Sequence, residues 1–267
     1  MTTTRLPLFP LHAVLFPGLV MPLNVFEARY RALVSDLLRL PGDGPRPFGV
    51  VAIREGYEVA PPGRGLPGEP GVSAPDTRPG AGFAPDPMDS FHPIGCVADA
   101  TTIRQHDPAG GTGAGDPGDD ADDGDGPRSF EVLATGTTRF RLLSVESAGR
   151  YLVGEVELLE EEAGEGAEVL ATGVLRAFRA YQQRLAGAYE RSLVPGSELP
   201  EEPSVVSYLV AAATVLETAE KQALLEAPDT AARLARELRL LRREIGVIGK
   251  LPSVPAVELT RRPTSPN

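Results

Sequence analysis

The hydrophobic period of this chain changes near residue 165, and that change sets what it can fold into. Before it, short β-branched or aromatic runs recur: Leu6 to Leu15, Phe48 to Ile53, Ile94 to Arg104, Ser129 to Ala134, Thr138 to Val145 and Tyr151 to Leu159. Several roughly alternate and carry Gly at their ends, which favours an antiparallel sheet or a small barrel. One helix interrupts them. Asn24 and Glu27 have capping-box spacing, and Phe26, Tyr30, Leu33, Leu37 and Leu40 fall on one face before Pro41 ends the helix. Beyond the change, Val174, Leu175, Phe178, Tyr181, Leu185 and Tyr189 fit an amphipathic helix that stops near Pro195-Gly196. Val205 to Val215 and Glu217 to Leu225 fit two more. After a cap at Asp229, the residues Ala231, Leu234, Leu238, Leu241, Ile245 and Ile248 alternate spacings of three and four, the seam of a packed helix. The expected fold is α+β: a β-rich domain over residues 5–160 with one helix inserted, then a helical bundle over 165–250.

Two segments break the β-rich part. Residues 61–92 are dense in Pro and Gly, and residues 107–128 carry seven Asp with almost no apolar side chain. Ordering costs roughly 1–2 kcal/mol per residue for the backbone alone, which neither composition offsets by burial. Both are expected to be disordered loops inserted between strands.

Charge narrows the function. A net charge of −11 disfavours nucleic acid, whose phosphates need a basic surface, and anionic membranes alike. Cys96 is the only cysteine, so no internal disulfide forms. The apolar stretch after Arg5 is broken by Pro7, Pro10, Pro17 and Pro22, unlike a signal peptide. Nothing approaches the run of about 20 apolar residues that a spanning helix needs. The expected location is the cytoplasm.

Phe16-Pro17-Gly18-Leu19-Val20-Met21-Pro22 is the segment chosen for binding. Its prolines remove ladder donors, which excludes a central strand and places it at an edge or rim. It is nonetheless almost wholly apolar. An exposed apolar rim with a Met suits loose, sequence-tolerant contact with unfolded chains, so Phe16, Pro17, Val20, Met21 and Pro22 are the candidate contact residues. The opposing reading folds these side chains inward under the helix that follows.

Other clusters carry less. His12, His92, Cys96 and His106 match no zinc spacing, and Cys96 reads as a small buried strand residue. The run from Asp116 to Asp125 fits no EF-hand frame and reads as a solvated acidic loop. Glu160, Glu161 and Glu162 read as a charged linker. Arg233, Arg236, Arg239, Arg242 and Arg243 would suit RNA, but Glu237 and Glu244 interleave, which favours a solvated face. Arg139 and Arg141 flank Phe140 and are expected to point outward. No metal and no cofactor are expected.

The run Leu6 to Tyr30 (LPLFPLHAVLFPGLVMPLNVFEARY) closely resembles the start of the substrate-binding domain of Lon proteases. Further matches are FGVV at Phe48 to Val51, the IG.VA pattern at Ile94 to Ala98, G..RFR at Gly136 to Arg141, and a helical segment around Glu220-Lys221-Gln222 and Leu224-Leu225-Glu226. The resemblance implies a small β-barrel of PUA-like type followed by helices, in a stand-alone bacterial member. It also implies a non-enzymatic module that binds unfolded or apolar polypeptide segments in protein quality control, delivering them to a protease or chaperone in trans. A small-molecule-binding or enzyme subunit with its ligand between barrel and bundle, or an RNA-binding module, are the alternatives. The Lon ATPase and Ser–Lys peptidase have no counterpart in these residues. No G-x-x-x-x-G-K-[ST] occurs, and Asp43-Gly44-Pro45-Arg46 and Asp125-Gly126-Pro127-Arg128 carry Arg where a DGPSAG context would supply the nucleophile. Purified protein is therefore expected neither to hydrolyse ATP nor to degrade casein. Turnover that survives repurification would contradict this.

Overall fold

Eighteen consecutive residues of one strand, β5 (Ser129–Glu146), organise the sheet. The computed structural model describes residues 3–42, 44–59, 78–106, 129–188 and 200–248. Residues 61–77, the whole acidic run 107–128, Pro195-Gly196 and Lys250 lie outside them. The two strand-like runs on either side of Gly136 are halves of β5. It pairs antiparallel with β4 (Ile94–His106) on one edge. On its other edge it pairs first with β2 (Val20–Val25), then with β6 (Val153–Leu158).

The remaining strands are β1 (Thr3–Leu11) and β3 (Pro47–Ala52). The sheet order is β2-β5-β4-β3-β1-β6, with a further β5–β6 pairing that closes five of the strands into a ring. Register shifts near Cys96, Ala100 and Leu142 bend the long strands enough for that closure. β1 and β3 run parallel, a departure from the expected antiparallel pairing. β1 tolerates Pro7 and Pro10 because β6 pairs only its residues Thr3 to Pro7 and β3 only Leu8 to Leu11. Each half of the strand therefore has an edge without a ladder to break.

Alternation then sorts β1 and β3 into two cores. Phe9, Leu11, Phe48 and Val50 join a cluster with Leu23, Val25 and the buried face of helix α1 (Ala28–Leu38). Leu6, Leu8, Val51 and Ile53 join a second with Phe140, Leu142 and Val156. Phe140 fits because glycine faces it. A Cβ at Gly95 would stand 2.4 Å from its ring, and one at Gly49 3.1 Å.

The expected capping box does not form. Asn24 lies in β2 opposite Glu131, and Glu27 caps α1 without a side-chain bond. α1 is held instead at Asp36, which accepts from Arg150 at 2.6 Å and from the Tyr151 hydroxyl at 3.0 Å. Burial alone would raise the Asp36 carboxyl, but these bonds and one from Arg39 outweigh it and hold it below the ordinary range.

Contacts divide the chain into one unit of Met1–Glu160 with Val215–Glu226 and another of Glu161–Thr214 with Ala227–Asn267. Helix α4 (Thr218–Leu225), expected in the bundle, thus belongs with the sheet. Gln222 donates to the Ile94 carbonyl at 2.9 Å, and Thr218 to that of His12 at 3.0 Å. In the second unit, α2 (Ala167–Ala188), α3 (Pro203–Ala213) and α5 (Thr230–Ile248) pack through Val174, Phe178, Tyr181, Val206, Val210, Leu234 and Leu241. Asp229 caps α5 as expected, accepting from the Ala232 amide at 2.7 Å.

Part of the segment expected to be disordered is ordered. Residues 78–92, read from composition as disordered, form turns and a 3-10 turn at Pro87–Ser90. Their anchors are Ala81 and Phe91, both buried, with the Phe83 and Phe91 rings edge-on at 4.8 Å. Phe91→Ala is accordingly expected to cost about 3–5 kcal/mol in urea unfolding. An unchanged midpoint would return these residues to the dispensable insert.

Candidate functional site

The candidate edge begins at a turn. Pro17 and Gly18 occupy its centre, Gly18 has φ of 77°, and the Leu19 amide donates to the Phe16 carbonyl at 3.2 Å. A proline followed by a glycine of positive φ is the chemistry of a type II turn. The turn rests on β5: the Gly18 amide donates to the Gly136 carbonyl at 2.9 Å, and the Gly136 amide to that of Leu19 at 2.8 Å. A Cβ at Gly136 would stand 2.3 Å from the Phe16 oxygen, so no larger residue fits there.

β2 then alternates. Leu23 and Val25 enter the core, Met21 packs partly buried against it, and Val20, Pro22 and Asn24 face outward. Val20 is 59% exposed, and Phe26, just past the strand, is 58% exposed. Pro22 sits opposite the half-buried Leu133 of β5. The result is an apolar strip of Val20 and Pro22 on an edge strand, continued by Phe26 just past its end, and among the described residues β2 pairs only with β5.

The five residues chosen from sequence therefore separate. Val20 and Pro22 lie on the outer strip, Pro17 is half-buried in the turn, and Met21 leans on the core. Phe16 is not rim: it is 1% exposed, because the turn folds its ring inward. Phe26 escaped the sequence reading. Its spacing of four from Tyr30 assigned it to the buried face of a helix that in fact starts two residues later.

The other candidates disperse. Cys96 is fully buried, and burial pushes its thiol up to about 12, which leaves no thiolate for ligation or nucleophilic attack near neutrality. His92 lies 3.5 Å from Glu226 and His106 3.5 Å from Glu131. Among the described residues no group of three or more His, Cys, Asp or Glu side chains could hold a metal ion. No helix among them is long and apolar enough to cross a membrane.

Two arginine expectations are corrected. Arg139 does not point outward but is buried, donating to the Leu225 carbonyl at 2.9 Å, because α4 covers that part of β5. Arg141 is half-exposed and paired with Glu157. Arg233 leaves the basic face of α5 for the interior, whereas Arg236, Arg239, Arg242 and Arg243 are exposed.

A mixed six-stranded sheet with five helices places the chain in the α+β class. A family model described as the ATP-dependent protease La (LON) substrate-binding domain matches residues 5–243, and the chain belongs to that family. It is 25% identical over 234 residues to Lon protease 2 of Syntrophobacter fumaroxidans (strain DSM 10017 / MPOB), covering 86% of this chain and 23% of that protein. To Lon protease 2 of Myxococcus xanthus it is 25% identical over 244 residues, covering 90% and 24%. The chain spans about a quarter of the length of these relatives. Among solved structures it shares its fold with the N-terminal domain of the Mycobacterium avium complex Lon protease. That match has a TM-score of 0.51 and 18% identity, over 91% of this chain and 98% of that one. A Lon N-terminal domain protein from Xanthomonas campestris aligns with a TM-score of 0.47 and 23% identity, over 88% and 98%.

Core and strip residues are separable by stability. Phe16→Ala is expected to cost about 3–5 kcal/mol in chemical denaturation, whereas Val20→Ser should stay within about 0.5 kcal/mol of the parent. Equal losses would mean that Val20 is core and the strip is not a surface.

Proposed function

We propose that this chain is a non-enzymatic module that takes up exposed apolar segments of unfolded polypeptide along the outer strip of β2. The single observation that carries the reading is Val20, on a strand with one partner among the described residues, and Phe26 just past its end, both standing exposed. Apolar side chains there gain roughly 25 cal/mol for each Å² that a partner covers. Family membership supports the class of ligand. The closed pairing of β1, β3, β4, β5 and β6 supports the PUA-like barrel that the sequence resemblance implies.

The contact residues are Val20, Pro22 and Phe26, flanked by Pro17 and Met21. Delivery of the bound segment to a protease or chaperone in trans would follow from such a role. The acidic chain favours polypeptide over nucleic acid as its partner.

The test uses Val20→Ser and Phe26→Ser together, read by binding to a reduced, carboxymethylated polypeptide and by melting on the same sample. The expected outcome is binding weakened at least tenfold with melting unchanged. Unchanged binding with intact melting would refute the strip as the site, and so would a collapse in melting.

A further inference from the structure

Glu237 is the one buried carboxylate in the described helical unit whose burial no hydrogen bond compensates. It lies on α5 at 2% exposure, and neither of its carboxyl oxygens has a hydrogen-bond partner among the described residues. Its neighbour one turn back, Arg233, is 0% exposed and engaged elsewhere. That guanidinium donates to Glu161 at 2.9 Å and to the Ser207 hydroxyl at 2.9 Å, and lies 4.0 Å over the Tyr208 ring. Glu161 also accepts from the Tyr208 and Thr230 hydroxyls. Two carboxyls thus compete for one buried cation, and in this structure Glu161 holds it.

We propose that Glu237 is a proton-binding site in this unit: it carries a proton when the helices are packed, and on releasing it to solvent it draws Arg233 away from Glu161. An ionised carboxylate with no partner and no water is too costly to keep, so a buried acid either stays neutral or recruits a cation. The spacing of four residues on one helix face puts Arg233 within reach by a change of rotamer.

Among the described residues the surroundings offer no rival buried cation. α5 packs against α2 and α3. Among the described residues the buried titratable groups on those two helices are Tyr181 and Tyr208. The Glu161 carboxylate, its side chain 30% exposed, reaches in from the segment before α2, and Arg176, Arg179 and Arg184 of α2 are exposed. Burial drives the Glu237 carboxyl well above its ordinary range, and Arg233 only partly opposes this. At Glu161 burial also pushes upward, but the bonds from Arg233, Tyr208 and Thr230 outweigh it and hold that carboxyl low. The two acids are therefore in opposite protonation states over a range that includes mildly acidic pH. A carboxyl raised by folding stabilises the packed unit below the ordinary carboxylate range and loses that contribution as pH rises through its own titration.

Urea unfolding of the whole chain, followed between pH 5 and 9 by hydrogen exchange in α3 and α5, tests this. The parent should lose up to about tenfold in the folding equilibrium constant of this unit per pH unit between the ordinary carboxylate range and the Glu237 titration, and level off above it. Glu237→Gln should remove that slope, whatever its effect on the absolute midpoint, and Glu237→Met should do the same if the Gln variant folds poorly. Glu161→Gln frees Arg233 for Glu237 and should move the upper end of the slope to lower pH. Parallel pH profiles for the parent and both Glu237 variants would overturn the proposal. An upper end unmoved by Glu161→Gln would overturn the competition for Arg233.

Discussion

Everything in the sheet unit depends on how β5 divides one edge between two partners. β2 occupies that edge up to Thr135 and β6 takes it over from Phe140. The handover happens at Gly136, whose amide and carbonyl bond the Phe16–Leu19 turn instead of a strand. The turn lies so close that even a methyl group would collide with the Phe16 oxygen and crowd Cys96. Four residues on, Phe140 fills the space that Gly49 and Gly95 leave. The spaced family patterns FGVV, IG.VA and G..RFR thus acquire one spatial reason: they are the two sides of a single tight contact.

Among the described residues three arginines are buried, and each does what a lysine would do poorly. Arg29 donates to the carbonyls of Glu58, Pro79 and Ala81 and pairs with Glu27 at 3.1 Å. It therefore ties α1 to the backbone on both sides of residues 60–77. Arg139 holds the last turn of α4, and Arg233 gathers Glu161, Ser207 and Tyr208. A planar fork with five donors can satisfy several carbonyls at once and stack on a ring, where a single ammonium cannot. Glu161 thereby joins a polar cluster through its carboxylate, while Glu160 and Glu162 on either side of it are exposed.

Legibility followed the range of the interaction. Periodicity located β1, β3, β4, β6 and α5 within a few residues, because their apolar faces are local patterns. It failed where the deciding contact was distant. Gly136 read as a break between two strands, although it is a close approach within one. Glycine and proline content made residues 78–92 look unfoldable, but Phe91 and Ala81 supply enough burial once Arg29 satisfies the backbone. α4 has helical spacing like its neighbours, and nothing in that spacing says that Gln222 will bond to β4. At the candidate site, proline correctly signalled an edge strand. Which side chains face out was settled by the Pro17-Gly18 turn, whose geometry sets the parity of everything after it.

That parity explains how an exposed apolar edge persists without pairing indiscriminately. β2 offers backbone groups along its outer side, the usual template for another strand. Pro22 interrupts that row, since it has no N–H to give, and an edge is where a strand tolerates it. Asn24 then places a polar side chain between Pro22 and Phe26 on the exposed side. An incoming chain meets a row of at most a few backbone bonds, broken at its centre, beside the apolar surfaces of Val20 and Phe26. Affinity in such an arrangement comes from side-chain burial more than from a continuous ladder, which demands little of the partner's sequence. The proposed contact would accordingly be weak and sequence-tolerant, with Pro22 limiting its backbone pairing.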